Sequence, residues 1–381
     1  MKKILIFSHS ANGHYPEYIH HLYNGVIVRP ELQAVVCVPE FFKKQKQLMS
    51  WENCKRITFD YAPDEKLSWG DGKWYKRNLR FSLVLRAFVK KHKPDHIIMV
   101  DPMICMPFFP YLILGKVTVS GILYGIFLYR WQELSFPRKM AELVWHFIFG
   151  KHKKFLQVFT LNDGAAARFF NHKYRTKRFS KLPDPFLPLP DTGLDFREKY
   201  EITPEQKVFF HFGSFGKKKG TLEILKSILK LSSEEQQKYV FVFAGVIQDV
   251  IREEFYKLYS EIQRTKCKVL VFNEFCSYEF LGGWCKACDV ILVPYLMAFN
   301  SSGCIGYAAQ FSKPVIGPNY GLLGKLIRKN SLGICLDKVT PETLSVTYGK
   351  MKNVCSDGQK YLDENTPERF CKALLDFPGK E

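Results

Sequence analysis

Short apolar runs alternate with longer amphipathic stretches along the chain, and this alternation predicts strands that alternate with helices. The apolar runs predict strands at 3–8, 33–39, 56–59, 94–100 and 158–161 in the first half, and at 207–212, 239–244, 268–272, 290–294 and 314–317 in the second. Between them, the stretch 73–92 carries apolar side chains on one face and Lys or Arg on the other, as an amphipathic helix does. Strands that each lead into a helix form parallel sheets, so the pattern predicts an α/β protein with two Rossmann-like halves.

A proline-rich segment separates the two halves. Four prolines fall within the eight residues 183–190, and they allow neither a helix nor a central strand to continue. At 381 residues the chain has the length of two ordinary domains, each able to bury its own core. We therefore predict domains at 1–185 and 186–365, followed by a C-terminal helical segment at 366–381.

Composition narrows the class of protein. A hydrophobic fraction of 46% excludes a disordered chain, and 11 scattered cysteines favour free thiols in a reducing compartment. The N-terminal apolar run is too short for a signal peptide. The apolar region 97–131 is interrupted by Asp101, Pro107, Pro110 and Lys116, unlike a membrane span. These features predict a cytoplasmic protein.

The formal charge of +19 is unevenly distributed. Residues 1–185 contain 30 Lys and Arg against 14 Asp and Glu, which predicts an anionic partner for the first half: a membrane surface, a nucleic acid or an anionic acceptor. Between 124 and 159, basic residues alternate with Trp and Phe, a composition that suits lipid head groups. Stacked nucleic-acid bases, or a core helix with solvated flanks, are the alternatives. We predict an anionic membrane surface, and no nucleic acid, as the partner.

One carboxylate of the first half lies at the end of a predicted strand. The strand 94–100 leads directly into Asp101, which places this side chain at the carboxyl edge of a parallel sheet, where ligands of this fold class bind. A carboxylate there is a candidate catalytic base, and an Asp that only caps a turn is the alternative. The turn at 10–14, after the first strand, lacks the G-x-G-x-x-G of dinucleotide-binding proteins.

The second half opens with a strand, a glycine-rich turn and a helix. Gly213 and Gly216 follow the strand, and Lys217, Lys218 and Lys219 precede the helix. A lysine at a helix start adds its charge to the helix dipole, which suits a diphosphate. The segment does not match the Walker A pattern, and a lysine-rich loop without a ligand is the alternative.

The stretch 291–317 has a similar arrangement with small residues. A strand ends in a Pro-Tyr turn at Tyr295, and the segment 300–303, Asn-Ser-Ser-Gly, then opens a helix. Ser301 and Ser302 are favoured N-cap residues, and a helix N-terminus at the carboxyl edge of a parallel sheet binds phosphate readily. On these residues alone, an ordinary capped helix fits equally well.

Both segments of the second half resemble the donor site of glycosyltransferases with the GT-B fold, in particular glycosyltransferase family 4 (glycosyl transferases group 1). The family's Gly-x-x-x-x-x-Lys-Gly is matched by Gly213, Lys219 and Gly220. The Arg that usually follows the first Gly is Ser214 here, so Lys217 or Lys218 would supply the second charge.

The family also carries two Glu before a Gly-x-Pro-Val-Ile strand, and this chain departs from that pattern. Aligned on Pro314, Val315 and Ile316, the two positions hold Phe299 and Tyr307. The resemblance is strong over about 208–335 and weak over the first half, as expected if the first half binds a variable acceptor.

The resemblance implies two Rossmann-like domains that face each other across a cleft (GT-B). It implies an acceptor-binding domain at 1–185, a nucleotide-sugar-binding domain at 186–365 and a C-terminal helix that packs back on the first domain. The implied donor-binding residues are Gly13, Gly213, Ser214, Lys217, Gly245, Phe275, Tyr295, Asn300, Ser301, Ser302 and Gly303. The predicted catalytic residues are His14, Asp101 and Lys219.

The roles of these residues follow from the resemblance. Lys219 and the helix start at Ser301 and Ser302 would stabilise the departing diphosphate, and Asn300 would take over part of the work of the missing first Glu. His14, in the loop that faces the transferred sugar, would be a general base or a hydrogen-bond donor to the donor phosphates; a histidine that only starts a helix is the alternative. The resemblance implies no metal, since this fold generally stabilises the diphosphate without one. It also implies no cofactor, since a UDP- or GDP-sugar is itself the substrate.

The predicted function is transfer of a sugar from a nucleotide sugar to a lipid-linked or polysaccharide acceptor, with retention of configuration favoured over inversion. Peripheral attachment to the inner face of a membrane is common in GT-B enzymes that build lipid-linked glycans. The absence of both Glu keeps a second interpretation open, a non-catalytic scaffold that kept the fold. A sugar-nucleotide epimerase of the same fold is a third, although it would need acidic and basic residues clustered at the sugar.

Overall fold

The computed structural model describes residues 1–47, 49–69, 73–113 and 115–376, which fall into two compact units. The first unit comprises Met1–Pro185 together with the segment that begins at Asn365, and the second comprises Phe186–Glu364. Each unit contains a parallel β-sheet whose strands alternate with helices, so the predicted α/β class with two Rossmann-like halves is confirmed.

The described elements of the first unit follow one another in βα order. They are β1 (Lys2–Phe7), α1 (Tyr15–Ile27), β2 (Leu32–Pro39), α2 (Phe42–Lys46), β3 (Ile57–Ala62), α3 (Asp64–Leu67), α4 (Trp74–His92), β4 (His96–Met99), α5 (Phe109–Leu112), β5 (Thr118–Leu123), α6 (Phe136–Lys151), β6 (Phe155–Leu161), α7 (Gly164–Lys173) and β7 (Phe179–Leu182). Short 3-10 helices span Pro102–Cys105 and Phe127–Arg130. Over the described residues, the strands form a seven-stranded sheet in the order β3-β2-β1-β4-β5-β6-β7.

The second unit repeats the pattern. Its described elements are α8 (Phe196–Lys199), β8 (Lys207–Phe212), α9 (Thr221–Ile228), α10 (Ser233–Lys238), β9 (Tyr239–Ala244), α11 (Asp249–Ile262), β10 (Lys268–Phe272), α12 (Tyr278–Ala287), β11 (Val290–Leu292), α13 (Gly303–Gln310), β12 (Val315–Pro318), α14 (Gly321–Lys329), β13 (Gly333–Leu336), α15 (Pro341–Lys350) and α16 (Gln359–Glu364), with a 3-10 helix at Met351–Asn353. In the described part of this unit, six strands pair in the order β10-β9-β8-β11-β12-β13. The chain then returns to the first unit as α17 (Pro367–Leu375).

The central strands are buried on both faces, which is why they read as continuous apolar runs. In β1, Leu5 and Phe7 belong to the core cluster that contains Phe81 of α4. Ile4 and Ile6, on the opposite face, belong to the cluster that contains side chains of α1 and α17. Burying each of these side chains contributes about 1.5–3 kcal/mol, so both layers of helices are needed to hold the strand.

The pattern of apolar residues did not predict the edge strands β7 and β13. In β7 only Phe179 and Leu182 are buried, while the two residues between them are partly exposed. In β13 only Leu336 is buried. An edge strand has one neighbour in the sheet and less cover on its faces, so its sequence lacks the long apolar run that marks a central strand.

The last helix packs on the first one. Gly25 of α1 makes this approach close, because a Cβ at that position would lie 2.7 Å from the Cys371 sulfur. Phe370 of α17 stacks on Tyr18 of α1, with ring centroids 5.4 Å apart. None of the described helices combines the length and the apolar character needed to cross a bilayer.

Candidate functional site

Each sheet has a point at which its strand order reverses. In the first unit this point lies between β1 and β4, and in the second between β8 and β11. In open parallel sheets, ligands bind beside the carboxyl ends of the strands at this reversal, since the loops on either side diverge there and leave a crevice. The predicted site residues follow these strands in both units.

Three loops approach one another closely at the carboxyl edge of the second sheet. Gly220, before α9, has a φ of 71°, and a Cβ there would lie 2.0 Å from the Pro294 carbonyl oxygen. Gly245, after β9, has a φ of 144°, and a Cβ there would lie 1.8 Å from the Gly213 carbonyl oxygen. Only glycine fits at these two positions, so the loops after β8, β9 and β11 form one compact frame.

Lys219 is held inside this frame by Tyr295. Its ammonium group donates a hydrogen bond of 2.6 Å to the Tyr295 hydroxyl and lies 3.9 Å from the centre of the tyrosine ring. Burial lowers the pKa of Lys219, because the charged form loses water. The Tyr295 hydroxyl also lies 3.1 Å from the Ser302 Oγ, and the Tyr320 hydroxyl donates to the Tyr295 carbonyl at 3.0 Å. The lysine is thus fixed beside the start of α13.

The start of α13 differs in one respect from the sequence-based interpretation. Ser302 occupies the N-cap position, but its side chain makes no capping hydrogen bond and instead contacts Tyr295. The neighbouring Ser301 Oγ is buried and makes no hydrogen bond with any residue that the structure describes. With the cap side chain turned away, the first amide groups of this helix stay available to an anion.

The loops after β9 and β10 are joined to the same frame. The Ile247 amide donates to the Asn273 side chain at 2.8 Å, and the Gln248 side chain donates to the Ser214 Oγ at 2.9 Å. These bonds place Ser214 next to the turn that contains Gly245. Phe275, in the loop after β10, is 82% exposed, which is unusual for an aromatic ring and leaves it free to contact a ligand.

Other predicted residues of the second unit lie at the rim. Lys217, Lys218 and Asn300 are exposed. Tyr307, at the second Glu position of the family pattern, is buried in α13 with its ring against Phe186. This position therefore contributes packing rather than a carboxylate.

In the first unit, Asp101 follows β4 at the reversal point. Its carboxylate accepts a hydrogen bond from the Met103 amide at 3.0 Å and another from the Tyr15 hydroxyl at 3.3 Å. Burial raises the pKa of Asp101 to about 7, although both hydrogen bonds and the Arg77 charge act in the other direction. Asp101 thus caps the 3-10 helix that follows it and also has a pKa suited to proton transfer at neutral pH.

Two further polar groups lie near Asp101 that the sequence did not single out. His9 lies two residues after the end of β1, is 3% exposed, and its Nδ1 atom has no hydrogen-bond partner among the described residues. Burial, together with the Arg77 charge, lowers the pKa of His9 to about 4, so its ring is neutral. The Tyr124 hydroxyl is also buried without a described partner, and its ring lies 5.3 Å from that of Tyr15. For His9, the available signal was its position after the first strand.

His14 and Gly13 lie at the start of α1. His14 is the N-cap residue, its side chain is 55% exposed, and its Nδ1 lies 3.3 Å from the Glu17 carboxylate. Gly13 has a φ of 64°, with open space where a Cβ would be. It is Tyr15, the next residue of this helix, that contacts Asp101. Among the described residues, no group of three or more His, Cys, Asp or Glu side chains is placed to hold a metal ion.

Comparison with known protein families gives a match in the second unit. Residues 194–363 match the sequence profile of the family described as glycosyl transferases group 1. No curated protein sequence was found to match the chain.

Solved structures cover both units. WaaG, a glycosyltransferase involved in lipopolysaccharide biosynthesis, has a TM-score of 0.70 at 16% identity, covering 98% of this chain and 99% of its own. Anabaena HepE, solved with UDP and glucose, has a TM-score of 0.64 at 14% identity, covering 98% and 96%. MnaA from S. aureus, solved with UDP, has a TM-score of 0.62 at 13% identity, covering 100% and 93%. The chain therefore has the GT-B fold, and its residues 194–363 match the glycosyl transferases group 1 family.

Proposed function

We propose that this protein transfers a sugar from a nucleotide sugar to a lipid-linked or polysaccharide acceptor. The observation that carries the proposal is the Lys219 ammonium group, which Tyr295 holds beside the uncapped start of α13. A partly buried lysine beside a helix start that no side chain caps fits the diphosphate of a nucleotide sugar.

This arrangement addresses the main electrostatic demand of glycosyl transfer. As the bond to the sugar breaks, negative charge develops on the departing diphosphate. Lys219 and the first amides of α13 are fixed before the reaction, so they stabilise that charge without reorganisation. We propose that they do so without a metal ion and with retention of configuration, as the family resemblance implies.

We propose uridine as the nucleoside of the donor, with guanosine as the second choice. HepE and MnaA, which share the fold, were solved with UDP. In this chain the pocket for the nucleoside would be formed by the loops after β9 and β10, with Gly245 at its base and the exposed Phe275 ring at its rim.

Asp101 is our candidate for the group that handles the acceptor proton. A carboxyl whose pKa is near 7 is partly ionised at neutral pH and exchanges a proton readily. Tyr15 fixes the orientation of its carboxylate, while His9, which stays neutral, supplies an unpaired ring nitrogen nearby. Such a site suits a hydroxyl group of an acceptor.

The acceptor side of the protein also carries a surface that suits an anionic membrane. On α6 the apolar side chains of Phe136, Met140, Val144 and Phe147 recur every three or four residues and are 44–74% exposed. Lysines and arginines accompany them, and all eleven cysteines are free thiols, as expected on the cytoplasmic side of a membrane. We propose peripheral attachment through this face of α6.

Thermal shift with UDP, GDP, ADP and CMP tests the donor site. A nucleotide at about 100 times its Kd adds roughly 2.7 kcal/mol to the free energy of unfolding. We expect UDP to stabilise the intact protein and to lose this effect in Lys219→Ala. The matched control is Lys226→Ala, which removes an exposed lysine of α9 that pairs with Glu254 of α11. We expect UDP to stabilise this variant as it does the intact protein.

A non-catalytic scaffold is the second candidate, favoured by the burial of Tyr307 where the family has Glu. A scaffold would keep its binding partner in Lys219→Ala and would transfer no sugar in the presence of any donor. If no nucleotide stabilises the intact protein, the proposal of glycosyl transfer is wrong and the scaffold is preferred.

A further inference from the structure

The amino edge of the first sheet holds an open pocket of ≈ 360 Å³ that the proposed sugar transfer does not use. It lies between the last two turns of α4 and the segment that precedes β5. Asp101 follows the opposite end of β4, roughly 20 Å away at about 3.3 Å per strand residue. The pocket is therefore separate from the acceptor-side cluster around Asp101.

Four cations and an apolar floor line this pocket. The cations are Arg86, Lys90, Lys93 and Lys116, and the floor includes Val89, Pro94, Leu112, Ile113 and Val117. None of the four forms an ion pair with any residue that the structure describes, in contrast to Lys91 on the same helix, which pairs with Asp60 at 2.8 Å. The nearby Asp95 carboxylate accepts a hydrogen bond from the Lys3 amide.

Besides the four cations without an ion pair, the Arg86 side chain provides a second observation that favours a bound anion. Its Nε atom is buried and has no hydrogen-bond partner among the described residues. A buried guanidinium donor without an acceptor is costly, and an anion in the pocket would remove that cost. The segment opposite is anchored from outside, because the Lys154 ammonium donates to the Gly115 carbonyl at 2.9 Å.

Part of this charge has a simpler explanation. Lys90 and Lys93 lie at the C-terminal end of α4, where cations complement the helix dipole. Arg86 lies a turn earlier, and Lys116 lies on a different segment, so the dipole accounts for neither. These two residues carry the argument for a ligand.

We propose that this pocket binds a phosphate group, with Arg86 and Lys116 as its principal contacts. Phosphate accepts several charge-assisted hydrogen bonds at once, and Arg in particular matches its geometry. The apolar floor fits the carbon atoms next to the phosphate. A phosphorylated small molecule in solution and the head group of an anionic lipid present the same chemistry.

The test compares glycerol 3-phosphate with vesicles of phosphatidylcholine that contain or lack phosphatidic acid, the lipid with the same phosphate group. Thermal shift at matched ionic strength measures the soluble probe, and co-sedimentation measures the vesicles. The variants are Arg86→Gln, Lys116→Gln and Lys90→Gln, with Lys91→Gln as the control of equal charge on the same helix.

We expect Arg86→Gln and Lys116→Gln each to weaken binding by about fivefold to tenfold, and Lys91→Gln to leave it unchanged within about twofold. If Arg86→Gln and Lys116→Gln lose binding of glycerol 3-phosphate, the pocket is assigned to a soluble phosphate. If these variants lose binding of phosphatidic acid alone, the pocket is assigned to a lipid. The proposal is overturned if neither probe binds, or if Lys91→Gln weakens binding as much as Lys116→Gln does. Stabilisation by UDP in the same variants shows that they are folded and that the donor site is intact.

Discussion

The carboxyl edge between β8 and β11 holds a lysine, a tyrosine and a helix N-terminus, whereas the edge between β1 and β4 holds a carboxyl group and a neutral histidine. The two edges share one topology and have opposite chemistry. We propose that the first binds an anion and the second a hydroxyl group that loses a proton. The sequence profile of the family matches residues 194–363, in the unit that contains β8 and β11. This difference shows that the backbone supplies a crevice twice, while a few side chains decide what each crevice binds.

The largest effect is expected at Lys219. Lys219→Met keeps the length of the side chain but removes the charge that faces the departing diphosphate. We expect kcat/KM to fall about 10³-fold, as when a preorganised transition-state donor is removed. Steady-state assays with a nucleotide sugar measure this, and Lys226→Met serves as control. A loss below threefold would show that the charge at this edge takes no part in transfer.

The second largest effect is expected at Asp101, and it is dependent on pH. Asp101→Asn removes the proton acceptor, so kcat/KM should fall about 10²-fold. In the intact protein, activity should rise as the pH increases through about 7, where Asp101 ionises, and the variant should lack this rise. An unchanged profile in the variant would exclude Asp101 as the base.

The same substitution tests the pKa through stability. Burial raises the pKa of Asp101 in the folded protein above its value in the unfolded chain. The contribution of Asp101 to the free energy of unfolding is therefore fully present at pH values below the unfolded pKa, and it is lost as the pH rises through about 7. We therefore expect Asp101→Asn to have a higher Tm than the intact protein at pH 8, with no difference below about pH 4. Equal Tm values at both pH values would contradict burial of the carboxylate.

A smaller effect is expected at Tyr295, which positions Lys219. Tyr295→Phe removes the hydrogen bond to the ammonium group and the contact with Ser302 but keeps the ring. A loss of about tenfold in kcat/KM is expected, since a hydrogen bond to a charged group is worth about 1.5 kcal/mol or more. Tyr320→Phe, which removes only a bond to the Tyr295 carbonyl, is the control. Equal losses in both variants would indicate general damage to the loop.

A last prediction concerns stability rather than activity, and it distinguishes the two edges by backbone strain. Gly13 and Gly220 have similar positive φ values, but only at Gly220 would a Cβ meet a carbonyl oxygen, at 2.0 Å. Gly13→Ala should lower the free energy of unfolding by about 1 kcal/mol and Gly220→Ala by about 3 kcal/mol. Urea denaturation measures both, and equal values would contradict the close approach of the loops in the second unit.

The central strands and the glycine-rich turns were predictable from the sequence, because burial on both faces and positive φ each restrict the residue types. Serine is a favoured N-cap residue, and Ser277 accordingly accepts the Phe280 amide hydrogen at the start of α12. The contact of Ser302 could not be predicted in this way, since it depends on how the loop between β11 and α13 folds back on itself to bring Tyr295 close. The same holds for His9, whose surroundings come from α1 and α4.

The most direct measurement is calorimetric titration of the intact protein and of Lys219→Met with uridine, UMP and UDP. If the edge between β8 and β11 binds a diphosphate, affinity should rise steeply from uridine to UDP in the intact protein, and most of that rise should vanish in the variant. Equal affinity for uridine and UDP, or an equal rise in both proteins, would contradict the assignment of Lys219 and α13 to the diphosphate.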